Sequence, residues 1–344
     1  MGNRRETCDR LLHQYGKDMN QKLLYVYEER IPEDLRKLVL LYFPTPEFEV
    51  KHMTYLTPDD AKKVLLAWAD VVMFAPGRHL PDEVLETGKN IKLMQLWSSG
   101  YDKFNIAGAK KFGIPVANNG GANAGSVAEH TVLLMLAVGK WLPDSHKRTT
   151  TGTWAGNKHG LDMFMLKGKK VGIIGFGNIG RSVARILKGF QSNVFYYDIK
   201  RADESTEVEL GATFTPFEEI IKNSDIITLH LHANDSTKNI IGAKEFGMMK
   251  KDTTLINVSR ASLVDQDAFL KALTDGTLHG AGLDVYPKEP TEANDPILTL
   301  PNVVATPHMA GSTMDAYREA LSNSVENFRR VARSEKPLWI VNGI

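Results

Sequence analysis

Residues 170–198 read KVGIIGFGNIGRSVARILKGFQSNVFYYD, and this stretch decides the fold. An apolar run from Lys170 to Ile174 leads directly into Gly175-Phe-Gly177-Asn178-Ile179-Gly180, followed by an amphipathic run from Arg181 to Phe190 and a second apolar run from Asn193 to Asp198. Strand, glycine turn, helix and strand in that order form a βαβ unit with parallel strands. A bare G-x-G-x-x-G is a weak signal, because glycine-rich turns are common. Here a strand precedes it and a helix follows, which is the context a dinucleotide turn requires. Gly175 permits the tight turn, Gly177 lets the backbone approach a pyrophosphate, and Gly180 lets the helix pack closely on its strand. The helix start, with Asn178 and Ile179 inside the turn, offers phosphate unpaired N–H groups and a favourable dipole. Asp198 lies 18 residues beyond Gly180 at the end of the second strand, where a carboxylate accepts from the adenosine ribose and repels a 2′-phosphate. NAD is therefore expected over NADP, with Lys200 and Arg201 offsetting part of the repulsion. The bland alternative is a glycine turn followed by a solvent-exposed acid.

The same alternation extends in both directions. Upstream, Leu23 to Tyr27, Phe48 to His52, Val71 to Phe74, Ile91 to Leu96 and Ile114 to Ala117 read as strands. Pro32 to Tyr42, Thr57 to Ala69, Pro81 to Thr87 and Tyr101 to Phe112 read as the helices between them. Ala122 to Leu142 reads as a long apolar helix, and Pro143 to Lys167 is polar and patternless. Downstream, strands are expected at Asp225 to Leu229, Thr253 to Val258, His279 to Asp284 and Val303 to Ala305, and the last helix at Ser312 to Ala332. This pattern predicts an α/β protein with two doubly wound parallel-sheet domains, the second holding six strands. The last helix comes after that sheet is complete and is free to dock on either domain.

Composition excludes several classes of function. A length of 344 residues is about two domains' worth of chain. With 42 Lys and Arg against 41 Asp and Glu, the net charge of +1 lacks the basic excess that nucleic-acid binding uses. The longest apolar run, Val132 to Val138, falls far short of the ~18 residues of a membrane span. A polar start from Met1 to Tyr15 reads as no signal peptide, and Glu6 stands where an acylation signal after Met1-Gly2 needs Ser or Thr. One cysteine, Cys8, makes no intramolecular disulfide, so a reduced, cytoplasmic setting is expected. No metal-ligand motif is apparent.

A nicotinamide cofactor needs a partner for hydride exchange. Reducing a carbonyl calls for a proton donor working near neutrality, which suggests histidine, and a substrate carboxylate calls for arginine. A carboxylate beside the histidine would orient its ring and favour its charged form. Ligands of open parallel sheets sit beyond the carboxyl ends of the strands. One residue of each required type follows one of the last three strands: Arg260, Glu289 and His308. Ten histidines are present, and taken singly each reads as an ordinary surface or core residue; the company of Arg260 and Glu289 singles out His308. Asp284, an acid ending an apolar strand, must find a donor, either a nicotinamide group or a nearby backbone N–H.

These residues carry a resemblance to the D-isomer-specific 2-hydroxyacid dehydrogenase family, running from about Leu23 to the last helix. It rests on Ser98-Ser99-Gly100-Tyr101-Asp102, Asn123-Ala-Gly-Ser-Val-Ala-Glu129-His130, the glycines from Gly175 to Gly180, Asn257-Val258-Ser259-Arg260, Gly282-Leu-Asp284 with Glu289-Pro290, and Thr306-Pro-His308 with Gly311. The resemblance implies a Rossmann nucleotide domain (123–311) inserted in a flavodoxin-like substrate domain (1–122 and 312–344). It implies reversible hydride transfer between NADH and a small 2-oxo acid of the glyoxylate, hydroxypyruvate or pyruvate kind. Arg260 would bind the carboxylate, and His308 would donate or accept the proton while paired with Glu289. Val258, Ser259 and Asp284 would contact the cofactor, and the backbone of Ser99 and Gly100 would close on the substrate in the cleft between domains. The family also implies a homodimer joined through the nucleotide domain, with the apolar helix Ala124 to Leu142 as the contact.

Three positions depart from or qualify the pattern: Ala261 where glycine is usual, His232 where proline is common, and Trp97 just before the substrate loop, read as a core aromatic. Glu289 argues against a formate dehydrogenase, in which an amide occupies that position. A phosphoglycerate dehydrogenase is an alternative within the family, with 36 residues after His308 expected to be too few for a regulatory domain. An NAD-sensing scaffold resembling the C-terminal-binding-protein corepressors is the alternative from another class.

Overall fold

The computed structural model describes residues 20–344; Cys8 and the Met1-Gly2 start lie outside them. The chain forms two compact units, one of the described residues up to Ala122 with Tyr317–Ile344, the other of Asn123–Ala316. The second boundary falls inside a helix, a little beyond the expected 311.

In the first unit the order is β1 (Gln21–Tyr27), α1 (Glu33–Leu41), β2 (Phe48–Thr54), α2 (Asp59–Trp68), β3 (Val71–Ala75), α3 (Asp82–Leu85), β4 (Leu93–Leu96), α4 (Ile106–Lys111) and β5 (Val116–Ala117). Pro32, Pro58 and Pro81 immediately precede α1, α2 and α3, and two acids open each helix, so φ is preset and the N-terminal dipole is met by negative charge. The strands are all parallel in the order β2-β1-β3-β4-β5, the flavodoxin-like doubly wound arrangement. Every residue of β3 and β4 is buried, as expected of strands covered on both faces. One face packs Phe74, Met94 and Leu96 with Leu66, Leu80 and Phe104. The other packs Tyr25, Met73 and Leu93 with Leu321, Val325, Phe328 and Val331, so the last helix docks on this sheet. Asn327 Nδ2 reinforces it by donating to Gln95 Oε1 at 2.8 Å in the buried layer.

The second unit runs α5 (Ala124–Gly139), α6 (Leu142–Thr150), β6 (Lys170–Ile174), α7 (Asn178–Gly189), β7 (Asn193–Tyr197), α8 (Glu204–Leu210), β8 (Ala212–Phe214), α9 (Phe217–Asn223), β9 (Ile226–Leu229), α10 (Ala243–Met248), β10 (Thr254–Asn257), α11 (Gln266–Thr274), β11 (Gly280–Leu283) and β12 (Val303–Ala305), before α12 (Met314–Ala332), which belongs to the first unit from Tyr317 on. Its sheet is parallel throughout, in the order β12-β11-β10-β9-β6-β7-β8, a Rossmann arrangement extended by one strand.

Three details differ from the sequence reading. The seventh strand, β8, is a three-residue edge segment interrupted by Thr213, without the apolar run that marks Val303–Ala305. The supposedly patternless segment begins with a helix, α6, which buries none of its residues; without an inner face it has no apolar rhythm, and the Arg148–Asp144 pair at 2.6 Å spans one turn of it. The long apolar helix ends at Gly139 because Trp141 takes a left-handed backbone with φ of 51°. Most of the apolar residues of α5 serve its own unit: Val127, Val132, Leu134 and Met135 join the core with Ile173, Val183 and Ile256. They are therefore not available as an intersubunit contact.

Candidate active site

All seven strands of the second sheet point the same way, so the loops after β6, β7, β9, β10, β11 and β12 share one edge. Every site residue expected in this domain falls on that edge.

The glycine turn leaves β6 at Gly175, whose φ of 97° is forbidden to most side chains. A Cβ there would also meet His230 C at 2.7 Å. Gly180 is required by the protein as well, because a Cβ would lie 2.2 Å from the Gly175 carbonyl oxygen. Gly177 differs from both: its φ is ordinary, and a Cβ would point into open space. The fold gives no reason for glycine at 177, whereas a pyrophosphate laid over the start of α7 does. The helix begins at Asn178, so Asn178, Ile179 and Gly180 form its first turn rather than preceding it, with Asn178 exposed and Gly180 buried. These residues fit a dinucleotide.

Asp198 follows β7 and is tied to the turn: Phe176 N–H donates to its Oδ2 at 2.6 Å and Lys200 N–H to its Oδ1 at 3.3 Å. His230, which the sequence reading passed over, follows β9 beside Gly175 at the point where strand order reverses. Its Nε2 is 3.0 Å from Thr228 Oγ1, its Nδ1 is buried without a partner among the described residues, and burial lowers its pKa to about 3. Its location in Leu229-His230-Leu231, at a strand end of the nucleotide sheet, was the available signal.

After β10 the chain is shaped by buried Asn257, whose Oδ1 accepts from Ser259 N–H at 3.1 Å and whose Nδ2 donates to the Arg260 carbonyl at 2.8 Å. Ser259 Oγ donates to the Leu231 carbonyl, linking this loop to the one after β9. Val258 is buried beneath the turn, and half-buried Arg260 donates from Nη1 to the Ser259 carbonyl at 2.7 Å. Ala261 is buried and lines an apolar pocket with Phe269, Leu283 and Ile297, so the core accommodates its methyl group. His232 is exposed, its carbonyl accepting from Thr237 Oγ1 at 2.7 Å.

His308 follows β12, and its Nδ1 lies 3.0 Å from Glu289 Oε1, with the imidazole side chain 44% exposed and the carboxylate 22%. Glu289 Oε1 also accepts from Tyr286 N–H at 3.2 Å. The His308 backbone is left-handed, with φ of 52°, which costs a non-glycine residue about 1–2 kcal/mol. Asp284 offsets that cost. Its side chain is 0% exposed; Oδ1 accepts from Thr306 Oγ1 at 2.6 Å and Met309 N–H at 2.9 Å, and Oδ2 from Ala310 N–H at 2.8 Å. A hydrogen bond contributes about 0.5–1.5 kcal/mol net, so two backbone donors are of the same size as the strain. Backbone N–H groups, one of the two partners weighed for Asp284, hold its carboxylate here and tie it to the loop that carries His308. Ser126 Oγ holds the Ala310 carbonyl at 2.7 Å, and His130 Nε2 lies 2.9 Å from Thr306 Oγ1. None of Ser126, His130 and Thr306 was singled out for this bracing role.

In the first unit, Ser99 and Gly100 follow the carboxyl end of β4. Ser98 Oγ donates to the Gly100 carbonyl at 2.7 Å and Asn118 Nδ2 to the Ser99 carbonyl at 3.1 Å, so the loop is fixed from both sides. Trp97 packs against the core of this unit and lies 5.1 Å from the Tyr317 ring, the structural role assigned to it. No cluster of His, Cys, Asp and Glu among the described residues is arranged to hold a metal, and no described helix is long and apolar enough to cross a membrane.

Two doubly wound sheets, with a dinucleotide turn and an acid–base pair on one edge, define a dinucleotide-dependent oxidoreductase. The family described as D-isomer specific 2-hydroxyacid dehydrogenase, NAD binding domain, matches residues 132–310. A glyoxylate reductase from Thermococcus litoralis is 38% identical over 266 residues, covering 76% of this chain and 80% of that one. D-lactate dehydrogenase with NAD+ from Lactobacillus jensenii superposes with a TM-score of 0.77 at 27% identity, covering 93% of this chain and 99% of that one. An acyclic imino acid reductase in complex with NADPH and D-Arg superposes with a TM-score of 0.79 at 26% identity, with the same coverage. The chain belongs to the D-isomer specific 2-hydroxyacid dehydrogenase family. It is an NAD-dependent oxidoreductase acting on CH–OH groups.

Proposed function

We propose that the chain reversibly reduces a small 2-oxo acid, of the glyoxylate, hydroxypyruvate or pyruvate kind, to its D-2-hydroxy acid. The observation carrying this reading is the 3.0 Å His308–Glu289 pair on the edge that also bears Arg260 and the glycine turn. NADH supplies the hydride. Arg260 binds the substrate carboxylate and polarises the 2-oxo group, for which its planar fork is suited. His308 gives a proton to the carbonyl oxygen through Nε2, since Nδ1 faces Glu289, and takes it back in the reverse direction. Glu289 orients the ring and balances the imidazolium charge. Gly177, Asn178, Ile179 and Gly180 receive the pyrophosphate, Asp198 the adenosine ribose, and Val258 and Ser259 line the cofactor's path. Ser99 and Gly100 supply backbone N–H groups to the carboxylate.

The test is NADH oxidation with glyoxylate, hydroxypyruvate, pyruvate, a bulkier 2-oxo acid and a phosphorylated one. We expect turnover with a small unphosphorylated acid. NADH binding without turnover of any of the five would overturn the reading, and preference for the phosphorylated acid would favour the phosphoglycerate dehydrogenase alternative. A homodimer through the nucleotide unit belongs to the same proposal. Among the apolar residues that unit leaves exposed, Leu133, Leu142, Trp154, Leu161 and Met165 fall within one stretch of chain, and light scattering should give twice the chain mass.

A further inference from the structure

Arg201, one of the two cations that follow Asp198, is already engaged. Its Nε donates to Glu207 Oε1 at 2.9 Å and its Nη2 to Glu207 Oε2 at 2.8 Å, the arginine side chain being 63% exposed and the carboxylate 11%. Glu207 lies on α8 and takes a third donor, the Tyr196 hydroxyl, at 2.6 Å. Tyr196 is wholly buried, accepts from Ala202 N–H at 3.0 Å, and stacks on Phe176 of the glycine turn with ring centroids 3.8 Å apart. Phe176 N–H is the group that holds Asp198. The acid expected at the ribose and the network restraining Arg201 therefore hang from one residue of the turn. Bonds from Arg201 and then Tyr196 bring the Glu207 carboxyl down to about 2, and Glu207 raises the Arg201 guanidinium in return, so the pair persists throughout the neutral range.

In dinucleotide folds, an arginine near the end of this strand is the group that accommodates a 2′-phosphate. We propose that Glu207 sets cofactor preference by withholding Arg201 from the 2′-position, so that a 2′-phosphorylated dinucleotide meets the Asp198 carboxylate without a forked counter-cation. Lys200, a compact and strongly hydrated charge, is a poorer substitute for that fork. The proposal rests on the reading of the glycine turn and Asp198 as the dinucleotide site.

Fluorescence titrations of NADH and NADPH on the full chain, on Glu207→Gln, on Arg201→Ala and on the double variant test it. Glutamine keeps an acceptor for the Tyr196 hydroxyl, and a thermal melt checks that the fold survives. Glu207→Gln should tighten NADPH roughly tenfold with NADH within about twofold of the parent. Arg201→Ala should leave NADPH as weak as in the parent, and the double variant should lose the gain. The proposal is overturned if Arg201→Ala weakens NADPH in the parent background, since Arg201 would then already serve the phosphate. It is equally overturned if Glu207→Gln leaves NADPH unimproved or also loses NADH. Failure of the parent to bind NADH would instead sink the dinucleotide reading, and this proposal with it.

Discussion

Gly175 and His308 both carry a left-handed backbone on the same sheet edge, and they reach it by different means. At Gly175 the residue itself removes the penalty, so the conformation is written locally. At His308 the proposed chemistry needs a side chain, so glycine cannot be used. The penalty is instead offset by long-range bonds from Met309 and Ala310 to Asp284 and from Ser126 to the Ala310 carbonyl. A cofactor turn can thus be encoded by a short string, whereas a catalytic loop that strains a functional residue needs a scaffold assembled from distant parts of the chain.

The largest effect that would sharpen this contrast is at His308 itself. His308→Gln should lower kcat by about 10²–10⁴ while NADH still binds. Stopped-flow rates in both directions check this; an unchanged kcat in either direction would remove His308 from its role. Next comes Asp284→Asn, which turns an amide N–H₂ toward at least one of three donors. It should destabilise the fold by about 1–3 kcal/mol in urea melts and lower kcat far more than NADH affinity. If kcat is untouched, the His308 loop does not depend on that carboxylate.

Within the glycine turn the contrast is finer. Gly180→Ala should destabilise by about 1–3 kcal/mol, because its methyl meets the Gly175 carbonyl. Gly177→Ala should leave stability within about 0.5 kcal/mol of the parent and weaken NADH binding measured by titration. Equal stability losses would mean that both glycines serve the fold. A separate effect, read from pH, concerns His230, whose pKa is about 3 in the folded chain against ~6.5 unfolded. The unfolded chain takes up that proton first, so stability should fall as pH drops below about 6.5 and level off near 3. In His230→Gln the fall in melting temperature between pH 7 and 5 should be shallower, and an unchanged slope would show that His230 is charged in the native state.

The parts of the molecule legible in the sequence are those with local causes. Buried parallel strands appear as continuous apolar runs, Pro and acids mark helix starts, and the glycine turn with Asp198 shows its spacing directly. Arg260, Glu289 and His308 were found because parallel topology sends three successive strand ends to one edge. α6 escaped because it has no buried face, and β8 because Thr213 interrupts its short apolar run. For Asp284 a nicotinamide group and a backbone N–H stayed open as partners, because its donors, at Thr306, Met309 and Ala310, lie more than twenty residues away. No pattern in the chain marks His130 and Ser126 as partners of residues some 180 positions further on.

Docking the last helix on the first sheet also sets the order of assembly during synthesis. The face bearing Tyr25, Met73 and Leu93, packed early by Val39 and Phe43, is completed only by Leu321, Val325, Phe328 and Val331, so on the ribosome it stays partly uncovered until those residues have emerged. By then the residues of the nucleotide unit up to Ala316 are all available to fold on their own, and the unit begun first is finished last. Ribosome stalling before residue 317 should therefore leave a folded nucleotide unit attached to an incomplete sheet that chaperones would recognise.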